Sequence, residues 1–298
     1  MADISRRTAI GLVASAPLLL AAAPRTMIAR AIPSSKEQLP AIGLGTWQTF
    51  DVSPASYAPL EQVLRRFVEL GGKVIDSSPM YGRSETAAGD VAAKIGVHKD
   101  LFIATKVWTT GREAGIRQMN ASMNALRASR VDLMQVHNLV DVGTHLATLR
   151  AWRDEGRIRY VGITHYTSGA YDQVERLLRR ESFDFLQINY SVTEREAEQR
   201  ILPLARERGV AVLVNRPFAS GALFGRVRDK ALPAWAADIG VKSWAQLFLK
   251  FVLSHPAVTV AIPATAKLHH LEDNMAAGTG ALPDAKQRER IAELARTL

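Results

Sequence analysis

The segment KVIDSSPMYGRSETAAGDVAAKIGVHKDLFIATK, residues 73–106, decides the fold of this chain. Short apolar runs stand at its two ends, at 73–76 and 101–106. Between them, residues 85–95 carry apolar side chains at three- and four-residue spacing, which predicts a helix. A strand, a helix and a second strand in this order predict two parallel strands joined by a crossover helix.

The same strand-helix pattern repeats along most of the chain. Apolar runs typical of strands lie at 42–46, 73–76, 101–106, 131–137, 159–163, 183–188, 210–214 and 258–262. Helical periodicity lies at 57–70, 85–95, 114–128, 144–155, 170–180, 196–208 and 242–253. Eight such strands close a barrel, whereas five or six favour an open doubly wound sheet. The Gly-x-Gly-x-x-Gly motif of open dinucleotide-binding sheets is also absent. We therefore predict an α/β fold of one domain, a (β/α)8 TIM barrel.

Composition and charge narrow the class of protein. A hydrophobic fraction of 47% in 298 residues is ample for one large core. The absence of cysteine excludes disulfides, thiolate catalysis and cysteine-ligated metals. The net charge of +9 comes from scattered arginines without interleaved aromatic residues, which favours a solvated basic surface over a nucleic-acid interface. We predict neither a nucleic-acid partner nor a metal site.

The N-terminal residues 1–31 have the layout of an export signal. Arg6 and Arg7 precede an apolar run at 8–23, which is shorter than a membrane-spanning helix. The paired arginines resemble a twin-arginine signal, so the Tat export machinery is an expected partner. A small-x-small site at Ala29-Arg30-Ala31 predicts cleavage before Ile32, leaving the barrel as residues 32–298. We expect a periplasmic or secreted protein that is not embedded in the membrane; the alternative is an uncleaved apolar tail on a cytoplasmic protein.

Three consecutive predicted strands end in an ionisable residue, at Asp76, Lys106 and His137. Tyr81 follows Asp76 in the next loop. Because the carboxyl ends of barrel strands meet at one mouth, we expect these four side chains to surround one cavity.

The chemistry of this set is proton transfer to a carbonyl oxygen. A free tyrosine has a pKa of about 10, and the Lys106 ammonium is expected to lower the pKa of Tyr81. Asp76 would keep Lys106 charged, and His137 would hydrogen-bond the carbonyl oxygen of a substrate. The set lacks a nucleophile-base pair, so proton transfer to a carbonyl oxygen fits it better than nucleophilic catalysis. The hydride that completes a reduction must then come from a cofactor.

The sequence after the N-terminal segment resembles the aldo-keto reductase superfamily. The matching motifs are GLGTW at 43–47, VIDSSPMYGRSE at 74–85, IATK at 103–106, VDLMQVH at 131–137, GRIRYVGI at 156–163, QINY at 187–190 and IPAT at 262–265. The resemblance implies that Asp76, Tyr81, Lys106 and His137 form a catalytic tetrad. It also implies reduction of a small aldehyde or ketone by a nicotinamide dinucleotide, NADP in preference to NAD.

The resemblance further implies which residues bind cofactor and substrate. The cofactor residues are Gly45, Thr46, Thr164, His165, Gln187, Asn215, Arg216, Pro217, Phe218, Gly221, Thr265, Lys267, His270, Asp273 and Asn274. Asn215 stands where an aromatic ring usually stacks on the nicotinamide, and Thr164-His165 replaces the usual Ser-Asn pair. Trp47 and Trp108 are expected to line the substrate pocket; the alternative for each is a place in the core.

Two other functions fit parts of the sequence. The first is a regulatory module that keeps the barrel and the cofactor but turns over little substrate, as members resembling channel-associated subunits do. The second is a barrel hydrolase or isomerase that uses Asp76 and His137. That function predicts a metal or phosphate requirement, for which the sequence shows no ligand cluster.

Overall fold

The computed structural model describes residues 26–298, and residues 1–25 lie outside the described part. Both arginines and the apolar run of the predicted export signal are therefore outside it. The strands are β1 (Ala29–Ala31), β2 (Gln38–Pro40), β3 (Leu44–Gly45), β4 (Val74–Asp76), β5 (Phe102–Val107), β6 (Val131–His137), β7 (Ile158–Thr164), β8 (Phe185–Asn189), β9 (Ala211–Asn215) and β10 (Val258–Ala261). The α-helices are α1 (Ala58–Glu69), α2 (Ser84–Lys94), α3 (Arg112–Ala125), α4 (Val142–Asp154), α5 (Tyr171–Arg180), α6 (Ile201–Glu207), α7 (Ala222–Val227), α8 (Trp244–Leu253), α9 (Leu268–Ala277) and α10 (Ala285–Thr297).

Strands β3 to β10 form one parallel sheet in chain order, with helices in the connections between them. The two ends of this sheet also meet. The amide of Gly43 donates to the carbonyl of Ala261 at 2.8 Å, and the amide of Ala261 donates to the carbonyl of Ala41 at 2.9 Å. The sheet therefore closes on itself, and the predicted (β/α)8 barrel is confirmed.

The structure departs from the predicted elements in several places. The first barrel strand is reduced to Leu44–Gly45, and the predicted helix 196–208 is broken into the short turn Glu196–Glu198 and α6. Pro203 explains the break, since its ring would clash with the carbonyl of Gln199 in a continuous helix. No helix within residues 26–298 is both long and apolar enough to span a bilayer.

The amino-terminal half of the barrel interior is apolar. Phe102, Tyr160 and Phe185 pack there with ring centroids 5.5–5.9 Å apart. The hairpin of β1 and β2, which the sequence analysis missed, adds Ile32 and Leu39 to this cluster. The hairpin thus closes the amino-terminal end of the barrel, and the inward polar residues lie at the opposite end.

Arg30 fastens the hairpin to the barrel. Its guanidinium donates to the carbonyls of Leu253 at 2.5 Å, His255 at 3.1 Å and Val258. Residues 29–31, the last of the predicted export segment, are therefore strand β1 of the folded body. Cleavage between Ala31 and Ile32 would remove this strand.

We expect Arg30→Ala to lower the free energy of unfolding by about 2 kcal/mol, because three carbonyls lose a charged donor. Urea unfolding of the full chain measures this loss. Arg65→Ala is the matched control, since Arg65 is exposed on α1 and its loss should cost less than about 0.5 kcal/mol. Equal effects at both arginines would contradict the assigned role of Arg30.

Candidate active site

The structure brings the four predicted catalytic residues together at the carboxyl end of the barrel. Asp76, Lys106 and His137 lie on the adjacent strands β4, β5 and β6, at or near the last residue of each. All three side chains are buried. Tyr81 reaches the same place from the loop between β4 and α2.

Lys106 is held as a buried ammonium. Its Nζ lies 2.7 Å from Asp76 Oδ2 and 2.6 Å from the carbonyl oxygen of Ser77, and its side chain is fully buried. Burial by itself lowers the pKa of Lys106, but Asp76 and Tyr81 outweigh burial, so the net pKa is raised. Lys106 therefore remains charged at neutral pH.

Two glutamines hold the second carboxylate oxygen of Asp76. Asp76 Oδ1 accepts hydrogen bonds from Gln135 Nε2 at 3.2 Å and from Gln187 Nε2 at 2.8 Å. Gln187 Oε1 in turn accepts from the Thr164 hydroxyl at 3.1 Å. Gln135 is absent from the predicted site, although a glutamine within the apolar run 131–137 was a usable signal.

Tyr81 lies beside both Lys106 and His137. The Tyr81 ring centroid is 4.9 Å from Lys106 Nζ, and the ring packs edge-to-face on His137 at a centroid distance of 5.9 Å. Burial raises the pKa of Tyr81; Lys106 opposes this effect and Asp76 adds to it. The expected lowering by Lys106 is present, but burial and Asp76 together outweigh it, so the net pKa of Tyr81 is raised. Tyr81 is a protonated phenol at neutral pH.

His137 is neutral across the physiological range. Burial, with the charge of Lys106 and a smaller effect of His165, lowers the pKa of His137 to about 2. Its Nδ1 lies 3.0 Å from the hydroxyl oxygen of Ser78. Ser78 is absent from the predicted site, and its only signal in the sequence was a hydroxyl two residues after Asp76.

The predicted cofactor residues begin at the end of β3. Gly45 lies against the segment that follows β10, and a Cβ on residue 45 would be 2.8 Å from the carbonyl oxygen of Ile262. The Thr46 hydroxyl donates to the carbonyl of Asp76 at 3.1 Å and approaches Ser77 Oγ at 2.9 Å. Thr46 therefore positions the loop that follows Asp76, and Gly45 permits the close approach of the segment at Ile262.

The ends of β7, β8 and β9 provide polar groups suited to a carboxamide. Thr164 and Gln187 lie there as a hydrogen-bonded pair, and Asn215 Nδ2 donates to the carbonyl of His165 at 3.1 Å. Asn215 Oδ1 is buried and has no partner among the described residues. An unpaired buried acceptor at this position fits a ligand that brings an N–H donor, such as a nicotinamide amide.

The segment 216–221 leaves β9 in an unusual conformation. Arg216, Ala219 and Ser220 all have positive φ angles, between 49° and 55°, and Gly221 follows at 89°. Such angles are costly for residues other than glycine and occur often at ligand-binding loops. Pro217 is buried, and Phe218 packs on Phe224 with a centroid distance of 4.9 Å.

The charge of Arg216 is already paired. Its guanidinium lies 2.9 Å from Glu194 Oε1 and also donates to the carbonyl of Tyr166 at 3.1 Å. Its Nε is buried without a partner among residues 26–298. Nε is thus a donor of Arg216 without a protein partner among the described residues, while Glu194 neutralises much of its charge.

The remaining predicted cofactor residues surround the start of α9. Lys267 precedes the helix, its amide donates to Thr265 Oγ1 at 3.0 Å, and the side chains of Lys267 and His270 are exposed. Asn274 is buried. Asp273 accepts from Ser243 at 2.6 Å and from Gln246 at 2.7 Å, so its carboxylate serves to fix the start of α8.

The rim of the mouth carries exposed apolar side chains. Trp47 is 45% exposed, Trp108 41% and Met80 40%. The Trp108 ring lies 6.3 Å from that of His137. Neither tryptophan fills the core, which excludes the alternative considered for them, and Met80 joins them as a rim residue absent from the predicted site.

Comparisons with known proteins agree with the barrel fold. The model of the aldo/keto reductase family matches residues 41–296. Methylglyoxal reductase YeaE of Escherichia coli is 28% identical over 251 residues, which cover 82% of this chain and 87% of the relative. An uncharacterised oxidoreductase of Schizosaccharomyces pombe, C215.11c, is 30% identical and covers 72% of each chain.

A solved aldo/keto reductase structure has a similar fold. An aldo/keto reductase of Klebsiella pneumoniae in complex with NADP and acetate superposes with a TM-score of 0.73 at 25% identity, covering 87% of this chain and 93% of that one. Because the family match extends over most of the barrel, this chain belongs to the aldo/keto reductase family.

Proposed function

We propose that this protein reduces an aldehyde or ketone to the alcohol with NADPH, and that Tyr81 is the proton donor. The observation that carries the proposal is the buried Lys106–Asp76 ion pair beside a protonated phenol and a neutral imidazole. A donor, an ammonium that stabilises its conjugate base and a second hydrogen-bonding group are the parts that carbonyl reduction requires.

Each residue has one task in this reaction. Thr164, Gln187 and Asn215 would hold a nicotinamide, which would supply the hydride for the carbonyl carbon. Tyr81 gives its hydroxyl proton to the carbonyl oxygen and becomes a phenolate, which the Lys106 ammonium stabilises. Asp76 keeps Lys106 charged and fixed in position. His137 donates a hydrogen bond to the same carbonyl oxygen and so orients the substrate.

NADP is the proposed cofactor in preference to NAD. The start of α9 supports this choice, because exposed Lys267 and the positive end of a ten-residue helix together attract a phosphate group. The Klebsiella pneumoniae relative was solved with NADP. The exposed rim of Trp47, Met80 and Trp108 favours small carbonyl compounds with an apolar or aromatic substituent.

Tyr81→Phe should lower the rate of NADPH-dependent carbonyl reduction by at least about 100-fold, because the proton donor is lost. The rate is measured as NADPH consumption with a panel that includes methylglyoxal and benzaldehyde. Intrinsic tryptophan fluorescence should show NADPH bound within about threefold of the wild-type Kd, and more tightly than NADH.

Tyr166→Phe is the matched control for this experiment. Tyr166 lies at the mouth, is 48% exposed and should tolerate loss of its hydroxyl. A Tyr81→Phe enzyme with near-normal turnover would contradict the proposal. Tight NADPH binding by a wild-type protein that reduces none of the carbonyl compounds would instead support a regulatory module.

The pH dependence follows from the two pKa shifts. Reduction requires protonated Tyr81, whose pKa is raised above its ordinary value of about 10, and His137 stays neutral. We therefore expect kcat/KM for reduction to be constant between about pH 6 and 9 and to fall only above about pH 10 as Tyr81 loses its proton. Initial rates at saturating NADPH test this; a transition centred near pH 6.5 would contradict a neutral His137.

We also propose that the protein is exported after folding, through the twin-arginine pathway, with cleavage at a position that leaves Met27 in the mature chain. The paired Arg6-Arg7 supports export. The packing of Met27 and Ile28 limits where cleavage can occur: the amide of Ile28 donates to the carbonyl of Gly278 at 2.7 Å, and Met27 packs against the core. Export in the folded state would let the protein carry its cofactor with it.

Cell fractionation with N-terminal sequencing tests this second proposal. The wild-type protein should be found in the periplasm with a mature N-terminus at or before Met27. Replacing Arg6 and Arg7 by lysine should keep the protein in the cytoplasm at full length. A wild-type protein that stays unprocessed in the cytoplasm, or one cut before Ile32, would refute it.

A further inference from the structure

Ser78 lies between the two residues that would face the substrate carbonyl. It is fully buried in the loop from Asp76 to Tyr81. Its hydroxyl oxygen accepts from the amide of Met80 at 3.3 Å and lies 3.0 Å from His137 Nδ1. Its carbonyl oxygen accepts from the amide of Tyr81 at 3.0 Å. One serine therefore contacts both the Tyr81 backbone and the His137 ring.

The direction of the Ser78–His137 hydrogen bond follows from counting donors and acceptors. The Met80 amide is a donor only, so it occupies a lone pair of Ser78 Oγ and cannot receive the hydroxyl hydrogen. Within residues 26–298, His137 Nδ1 is the only acceptor bonded to this hydroxyl. Because a buried hydroxyl hydrogen is costly to leave unpaired, Ser78 donates to Nδ1.

We propose that Ser78 is a positioning residue that fixes His137 in the tautomer with its hydrogen on Nε2. An Nδ1 that accepts from Ser78 has no hydrogen, so the single ring hydrogen of neutral His137 must be on Nε2. Nε2 has no hydrogen-bonding partner among the described residues, and its N–H is available to an incoming carbonyl oxygen. The opposite tautomer would direct a lone pair at that oxygen and repel it.

This inference rests on the proposed reduction for its catalytic meaning, but the tautomer can be measured without substrate. Protein labelled with 15N-histidine gives separate Nδ1 and Nε2 signals, whose shifts distinguish protonated from unprotonated ring nitrogens. The chain has seven histidines, so His137 is assigned by the signals that His137→Gln removes. At pH 7 the wild-type His137 should show an unprotonated Nδ1 and a protonated Nε2.

Ser78→Ala should convert His137 to a mixture of tautomers, with its Nδ1 signal shifted toward the protonated value. Ser77→Ala is the matched control: this neighbouring buried serine contacts Thr46 and not His137, so the His137 signals should not move. In turnover assays Ser78→Ala should lower kcat about three- to tenfold, the size expected for one neutral hydrogen bond, with the Kd for NADPH unchanged.

A wild-type His137 with its hydrogen on Nδ1 would overturn the proposal, as would an unchanged tautomer in Ser78→Ala. A wild-type protein that shows the Nε2–H tautomer but reduces no carbonyl compound would leave the assignment of Ser78 intact and refute the proposed function. The two failures are thus distinguishable.

Discussion

A lysine ammonium with no contact with solvent requires a carboxylate at hydrogen-bonding distance, and this requirement governs the architecture of the site. Lys106 satisfies it with Asp76 and with the carbonyl of Ser77. Breaking such a buried pair leaves an uncompensated charge, at a cost of about 3–5 kcal/mol. The pair therefore fixes β4 against β5 and holds the loop that carries Ser78 and Tyr81.

The ion pair extends into a network across the barrel. Gln135 on β6 and Gln187 on β8 both donate to Asp76, although β7 lies between these strands. Gly162 on β7 provides the necessary room: a Cβ there would lie 2.9 Å from the carbonyl oxygen of Phe185 and 3.1 Å from Cγ of Gln135. A side chain at this position would push Gln135 away from Asp76, so a glycine with no chemistry of its own shapes the candidate active site.

The barrel and the meeting of Asp76, Tyr81, Lys106 and His137 at its mouth could be predicted from the sequence because both depend on local patterns. Apolar runs and helical periods define the strands and helices, and the last residues of parallel strands meet at one end. Gln135 and Ser78 could not be assigned in the same way, since each acts on a residue 59 positions away in the chain. Such pairings depend on side-chain directions after the barrel has closed.

Two other differences between the predicted and the observed structure also arise from tertiary packing. Strands β1 and β2 have three residues each, too few to show a period, and they exist because the open end of the barrel offers an apolar surface. The direction of the Tyr81 pKa shift depends on how deeply the phenol is buried, which no motif encodes. Sequence patterns identified the residues of the candidate site, whereas packing determined the direction of the Tyr81 pKa shift.

Closure of the amino-terminal end of the barrel by the hairpin of β1 and β2 affects how Tyr81 would regain its proton after each turnover. Among residues 26–298, the barrel interior behind the tetrad holds the rings of Phe102, Tyr160 and Phe185 and is sealed by Ile32 and Leu39, while the Tyr160 hydroxyl bonds Ser35 and Glu37 at the amino-terminal end. In the proposed reaction, the phenolate left on Tyr81 would then be reprotonated from the side through which the alcohol departs. Reprotonation of Tyr81 and release of the product would share one route, so a slowly released alcohol would delay both.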